Sequence, residues 1–213
     1  MPTSTPIARS KTAALSRTVD LVPRGYQRYV HGTVAASKTL RLVEKFHTKY
    51  GIGCTPAQRI TRKKRGLANV ALVLYWPEGA ESAAWLLLAT DGTGLENEVL
   101  SLVTDRRRLN WLGYELVRRA QRGRTAWTWK RPRQVMSEAY SHLAALLHHR
   151  HQTAIFELLE RLARQPGFHG VRAQSWTLFQ EARKRGYKGP FPKLFYMRKI
   201  SHGDRLVLPD AAS

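Results

Sequence analysis

Residues 26–34 read YQRYVHGTV, and the parsing of this stretch decides the fold expected for the chain. Its side chains alternate as in a strand, with Tyr26, Arg28 and Val30 on one face and Gln27, Tyr29 and His31 on the other. Directly after it, Ala36, Leu40, Val43, Phe46 and Tyr50 recur at helical spacing, and Gly51 stands where a helix commonly ends. The following basic segment, with Arg59, Arg62, Lys63, Lys64 and Arg65, reads as a loop. Two apolar runs, 68–76 and 83–90, flank the turn Pro77-Glu78-Gly79 and predict a β-hairpin buried on at least one face. Residues 95–103 read as a short helix with Glu96 and Glu98 in its first turn, where carboxylates suit the helix dipole. Residues 109–119 and 125–131 read as a second hairpin around Gln121-Arg122-Gly123-Arg124.

From residue 26 to 119 the order is therefore β-α-β-β-α-β. This predicts an α+β protein with a ferredoxin-like antiparallel sheet, two helices covering one face and the other left open. An unrelated α+β domain with the same element order is the alternative. RNA-binding modules of this type offer aromatic side chains to bases from the open face. After Pro132, a permissive residue at a helix start, the pattern stays helical for about 30 residues, with three histidines near a kink. Gln165-Pro166-Gly167 ends that stretch, a further helix spans 171–185, and strands are expected at 194–200 and 205–208. The organisation expected is a flexible basic arm over 1–20, a ferredoxin-like RNA-binding domain over 21–131, and a helical extension with a short C-terminal strand segment over 132–213.

Charge points to the partner. The 213 residues carry 36 Lys and Arg against 15 Asp and Glu, a formal net charge of +21. Residues 45–77 contain no acid, and residues 106–133 hold ten Lys or Arg with Glu115 as the single acid. Such a field repels itself unless a polyanion neutralises it, so nucleic acid is the expected partner, RNA in preference to DNA. The lone Cys54 excludes a disulfide framework and a cysteine-rich zinc module. No apolar run approaches the roughly 20 residues of a membrane helix, and residues 1–17 lack an apolar signal core, so a cytoplasmic protein without membrane contact is expected.

Candidate chemistry falls in three places. Arg118, Arg119, Arg122, Arg124, Trp127, Trp129, Lys130 and Arg131 interleave cations with indoles, which suits phosphates and stacked bases; the indoles alone would equally suit a core. Arg24, Arg28 and the cluster Arg59, Arg62, Lys63, Lys64 and Arg65 add phosphate contacts, as do Arg183, Lys184 and Arg185 at a helix C-terminus. His31, near Tyr29, Arg24, Arg28 and Lys38, is the sharpest chemical candidate: an imidazole can take the 2′-hydroxyl proton of RNA or protonate the leaving oxygen, without a metal. A histidine that caps the strand or touches phosphate is the simpler reading of the same residue. His148, His149 and His151 lack a cysteine or well-spaced carboxylate to complete a metal shell, so no metal is expected. There is no P-loop, no G-x-G-x-x-G, no G-x-S-x-G and no acid pair for two-metal chemistry, and no cofactor is expected.

The element order, the basic surface and a histidine just before the first helix together resemble the CRISPR-RNA-processing endoribonucleases of the repeat-associated (RAMP) class. The resemblance covers roughly residues 26–131. It implies cleavage of a structured repeat RNA with retention of the product in a ribonucleoprotein complex, His31 as general acid/base, and Tyr29 or Lys38 as helpers. Where that family carries a glycine-rich loop near its C-terminus, this chain reads Lys188-Gly189-Pro190-Phe191-Pro192. The function expected is an RNA-binding protein that could act as a metal-independent endoribonuclease; the alternatives are a non-enzymatic DNA-binding factor of a plasmid or mobile element, acting in replication, transfer or partition, and a structural ribonucleoprotein subunit. Basic residues converging on the sheet and on the 59–65 segment would favour RNA, and a stripe along 171–185 duplex DNA.

Overall fold

The computed structural model describes residues 4–121, 123–196 and 204–207, and the chain divides into two units, residues 1–109 with 200–213 and residues 110–199. The division falls before the second hairpin, not after it at 131 as expected. In the first unit, residues 4–20 are no flexible arm. β1 (Ser4–Ala8) lies in a six-stranded sheet, parallel to β3 (Val70–Tyr75) and antiparallel to β9 (Asp204–Val207). α1 (Lys11–Leu21) follows, its first turn capped by the Ser10 hydroxyl accepting from the Ala13 N–H, and it buries Ala14, Leu15 and Leu21. The apolar residues here are few among Ser, Thr and Arg, too sparse for a periodic signal, yet Ile7, Ala8, Ala13, Ala14 and Leu15 are all buried. Residues 1–3 of the expected arm lie outside the described residues.

The decisive strand forms as β2 (Arg28–Ala35), followed without a loop by α2 (Ala36–Tyr50). α2 turns Val43, Phe46 and Tyr50 onto the sheet and ends at Gly51, whose φ of 60° is the left-handed conformation glycine adopts freely. α3 (Pro56–Lys64) takes the place of the basic loop expected there. β4 (Ser82–Ala89) pairs antiparallel with β3 on one side and with β2 on the other, in register from Arg28↔Ala89 to Ala35↔Ser82. Gly32 sits opposite Trp85, and a Cβ there would lie 2.8 Å from the indole, which packs edge-on against Phe46.

The protein is α+β, but the β-α-β-β-α-β order is not realised over 26–119. No helix forms at 95–103; the segment runs irregularly to β5 (Ser101–Leu102), which pairs with β2. Its acids serve loop contacts instead of a helix dipole: Glu96 accepts from the Gly94 N–H, and Glu98 accepts from the Tyr50 hydroxyl and pairs with Lys49. Leu95, Val99, Leu102 and Val103 have helical spacing, but Leu95 and Val103 are buried while Val99 points into solvent, so they do not dock together as one helical stripe. The sheet order is β5-β2-β4-β3-β1-β9, with β2 and β3 parallel and β4 between them, a split β-α-β arrangement. The broadly open sheet face is also absent. Val70, Leu72 and Leu74 pack with α2, while Val73, Leu86 and Leu88 on the opposite face are buried too, and α1 packs against β3.

In the second unit, β6 (Asn110–Trp111), β7 (Tyr114–Gln121) and β8 (Arg124–Lys130) form a separate antiparallel sheet. The long helical stretch is two helices, α4 (Arg133–His148) and α5 (Gln152–Ala163), broken at Arg150, whose φ is 55°. α6 (His169–Lys184) starts two residues earlier than expected. Met136 and Leu143 of α4, Ile155 and Leu159 of α5, and Leu178 and Phe179 of α6 share one core with Tyr187. α6 approaches β8 closely at Gly170, where a Cβ would meet the Trp129 carbonyl oxygen at 2.5 Å. Residues 194–196 form no strand, and 197–200 and 208 lie outside the described residues. Among the described residues no helix is long and apolar enough to cross a membrane.

Candidate nucleic-acid interface

α3 is a helix because its start is fully capped: the Thr55 hydroxyl accepts from the Gln58 N–H, the Gln58 side chain accepts from the Thr55 N–H, and Pro56 fills a first-turn position where no N–H is required. The T-P-A-Q signal was legible in the sequence. Arg62, Lys63 and Lys64 fall in the last turn, where cations suit the dipole, and Arg65 caps it. Arg62 is half-buried and structural, donating from Nε and Nη2 to the Ala68 carbonyl at 3.3 and 2.9 Å. Arg59, Lys63, Lys64 and Arg65 are exposed, and none of the nine residues of α3 is buried.

The His31 group is only half assembled. Val30 and Val34 join the core beneath α2, so His31 and Tyr29 project from the other face of β2. Their rings stack at 6.2 Å between centroids. The His31 imidazole is held below its usual pKa by partial burial of the ring, although the residue as a whole is exposed, so it is neutral near pH 7. Burial, with a smaller push from Asp105, raises the Tyr29 hydroxyl, and Ser101 and Arg107 oppose the shift. Lys38 lies on α2, across the sheet from His31, and Arg28 is engaged with Asp91 at 2.7 Å. Arg24 is exposed in a single 3-10 turn, residues Val22–Arg24. The expected trio His31, Tyr29 and Lys38 therefore reduces to the stacked pair.

Two of the hairpin residues expected to bind nucleic acid are interior. Trp129 is 0% exposed, opposite Leu116 on β7. Arg131, just past β8, is 1% exposed; its guanidinium donates to Gln165 Oε1 at 2.6 Å, the Leu162 carbonyl at 3.0 Å, Ser175 Oγ at 2.8 Å and the Val171 carbonyl at 3.1 Å. It ties the strand end to α5 and α6, and burial pushes its pKa down to about 10, which leaves it charged at pH 7. Lys130 pairs with Glu115 at 3.1 Å. Arg118 is exposed and faces the same side as the half-buried Trp127. Arg122, and the side chain of Arg124, lie outside the described residues. At the end of α6, Arg183 clamps the chain beyond it, donating to the Tyr187 and Gly189 carbonyls at 2.9 Å each and lying over the Phe191 ring. Arg185 pairs with Glu181 at 2.6 Å, and Lys184 is exposed.

A different set of aromatics and cations comes together around α6. His169, Arg172, Ala173 and Trp176 stand at i, i+3, i+4 and i+7, on one stripe of the helix. Across from them run Pro192, Lys193, Leu194 and Tyr196, and the two sides line a cleft of about 480 Å³. Trp176 is 50% exposed and Tyr196 70% exposed. The indole is braced edge-on by Phe179 and Phe191, and the Arg172 guanidinium lies 3.5 Å over the Tyr196 ring. Arg119 of β7 reaches the mouth, its Nη1 lying 2.7 Å from His169 Nε2. Burial, then Arg119 and Arg172, lower the His169 pKa. The lining contains no acid. The stripe spacing was present in the sequence, but an expected helix start at 171 left His169 outside it.

Among the described residues no group of three or more His, Cys, Asp or Glu is placed to hold a metal ion. Comparisons with protein-family models, with curated proteins and with solved structures find no match to this chain.

Proposed function

We propose that this chain is an RNA-binding protein that grips a phosphate backbone with exposed cations. The observation that carries the reading is α3. An isolated nine-residue helix is too short to persist by propensity alone, yet this one is capped at its start and tied by Arg62 while burying none of its residues. It presents Arg59, Lys63, Lys64 and the adjoining Arg65, and among the described residues Lys63, Lys64 and Arg65 pair with no carboxylate. RNA is favoured over duplex DNA because exposed Trp176 and Tyr196 offer flat surfaces, which suit unpaired bases.

A second reading, metal-independent cleavage of a structured RNA, is favoured by one further observation. Within the six-stranded sheet the order β5-β2-β4-β3 would suit a ferredoxin-like sheet without its second helix, and His31 stands in β2 ahead of α2. The resemblance to the CRISPR-RNA-processing class implies a histidine just before the first helix; here β1 and α1 precede β2, and the support is limited to His31 preceding α2. A neutral His31 would take the 2′-hydroxyl proton, and Tyr29 would orient the ring by stacking.

Binding of labelled single-stranded RNA, hairpin RNA and duplex DNA tests the first reading. Affinity for single-stranded RNA should fall about three-hundredfold or more between about 50 and 200 mM salt if six or more phosphates are contacted. No binding of any of the three at the lower salt overturns the reading, and tighter binding of duplex DNA throughout moves the function to a DNA-binding factor. In EDTA, His31→Ala should abolish cleavage of hairpin RNA and leave its binding within about twofold. Unchanged cleavage removes His31 from the reaction, and no cleavage by the unaltered protein leaves a ribonucleoprotein subunit.

A further inference from the structure

We infer that the cleft between α6 and residues 192–196 holds one unpaired nucleotide of the bound strand, its base stacked on the exposed ring of Trp176 and its phosphate met by Arg172 and Lys193. The inference rests on the RNA-binding reading and names the subsite at which an unpaired strand is distinguished from a duplex.

Four observations converge on it. The cleft, about 480 Å³, is of the size that takes small organic ligands, and Ala173 keeps its floor low. Trp176 is held rigidly by Phe179 and Phe191, so stacking on it costs little side-chain entropy. Arg172 already lies over one face of Tyr196, which fixes the guanidinium, and its Nε is buried there with no hydrogen-bond partner within the protein. No carboxylate lines the cleft, and from residue 165 to 196 the one acid is Glu181, engaged by Arg185. Charge and shape therefore favour an anion carrying a flat ring.

His169 adds direction. Arginine can only donate, so the Arg119 guanidinium close to Nε2 makes that nitrogen an acceptor and places the imidazole proton on Nδ1. The lowered pKa of His169 agrees with a neutral ring. Its Nδ1–H is then a donor suited to a base carbonyl or a phosphate oxygen. A helix that reads duplex DNA must enter a groove, whereas this stripe of α6 is faced by the chain at 192–196. An unpaired nucleotide can enter such a recess because its base is not held in a stack.

The test is a single-stranded RNA carrying 2-aminopurine, compared with a duplex RNA of equal length. Stacking on Trp176 should quench the probe when the single strand binds. Trp176→Ala should abolish the quench and weaken single-strand binding about tenfold or more, with duplex affinity changed less than twofold; Trp176→Phe should restore most of it. Because Trp176 braces Phe191, Ala173→Glu serves as a second variant, adding a carboxylate at an exposed helical site, and it should show the same selective loss. Normal single-strand binding by both variants overturns the cleft while salt-dependent RNA binding keeps the wider reading intact. Equal displacement of the strand by polyglutamate and by polyuridylate would also overturn it, in favour of an acidic peptide. If no polyanion binds the unaltered protein at all, the wider reading falls with it.

Discussion

The β7–β8 hairpin and helix α6 carry the same kinds of residue, indoles set among arginines, and use them in opposite ways. In the hairpin region Trp129 and Arg131 are turned inward, one filling core and the other bonding two helices to the strand end. On α6 Trp176 and Arg172 stand at a cleft, with Tyr196 and Lys193 facing them. The difference shows that residue chemistry names a capability and packing assigns its use. A guanidinium with its donors on carbonyls, Gln165 and Ser175 has none to spare for phosphate, whereas the Arg172 guanidinium lies over Tyr196 and its buried Nε has no acceptor within the protein.

That contrast can be broken by exchange of stability for binding. Trp129→Ala should destabilise the second unit by about 3–5 kcal/mol, as loss of a fully buried large side chain does. Arg131→Ala should cost a comparable 3–5 kcal/mol, because it strips partners from buried polar groups. Arg172→Ala should stay within about 1 kcal/mol of the unaltered protein in urea unfolding and weaken RNA binding instead. If Arg131→Ala proves stable and loses RNA binding, the assignment of the two arginines is reversed.

A smaller effect is expected where the two regions meet. Gly170→Ala would push a Cβ against the Trp129 carbonyl, and separating α6 from β8 should cost about 1–3 kcal/mol in urea unfolding. An unchanged midpoint would mean that the close approach is not needed to set the cleft. The smallest effect is a pH dependence at the same junction. The His169 pKa lies below its unfolded value, so the unfolded chain binds more protons in the interval between them. Stability should be complete above about pH 6.5, fall as pH drops through that value, and level off below the folded pKa. His47, bonded to Thr5 and lowered by burial, adds the same trend in the first unit. A His169→Gln variant should have a shallower dependence between pH 7.5 and 5.5; a slope unchanged from the parent would dismiss the His169 share.

Local pattern carried the reading where burial is repetitive. The alternation of β2, the stripe of α2 and the apolar runs of β3 and β4 all report a neighbour that recurs at every second or fourth residue. It failed where structure depends on a few contacts. α1 buries Ala13 and Ala14 beside Leu15 and Leu21, and the 95–103 segment has the acids and the apolar spacing of a helix yet leaves Val99 in solvent. For the candidate site, the sequence pointed to cationic and aromatic chemistry and to Trp127 and Trp129; that Trp129 is buried while Trp176 is half exposed is not carried by residue type.

Net charge, the strand and helix periods and the absence of cofactor motifs follow from the order of residues alone, since each is a sum or a spacing along one chain. Which arginine faces solvent, whether the sheet keeps an open face, and the meeting of α6 with Tyr196 are different in kind. They depend on contacts between segments far apart in the sequence, and burial is a property of those neighbours and not of the residue.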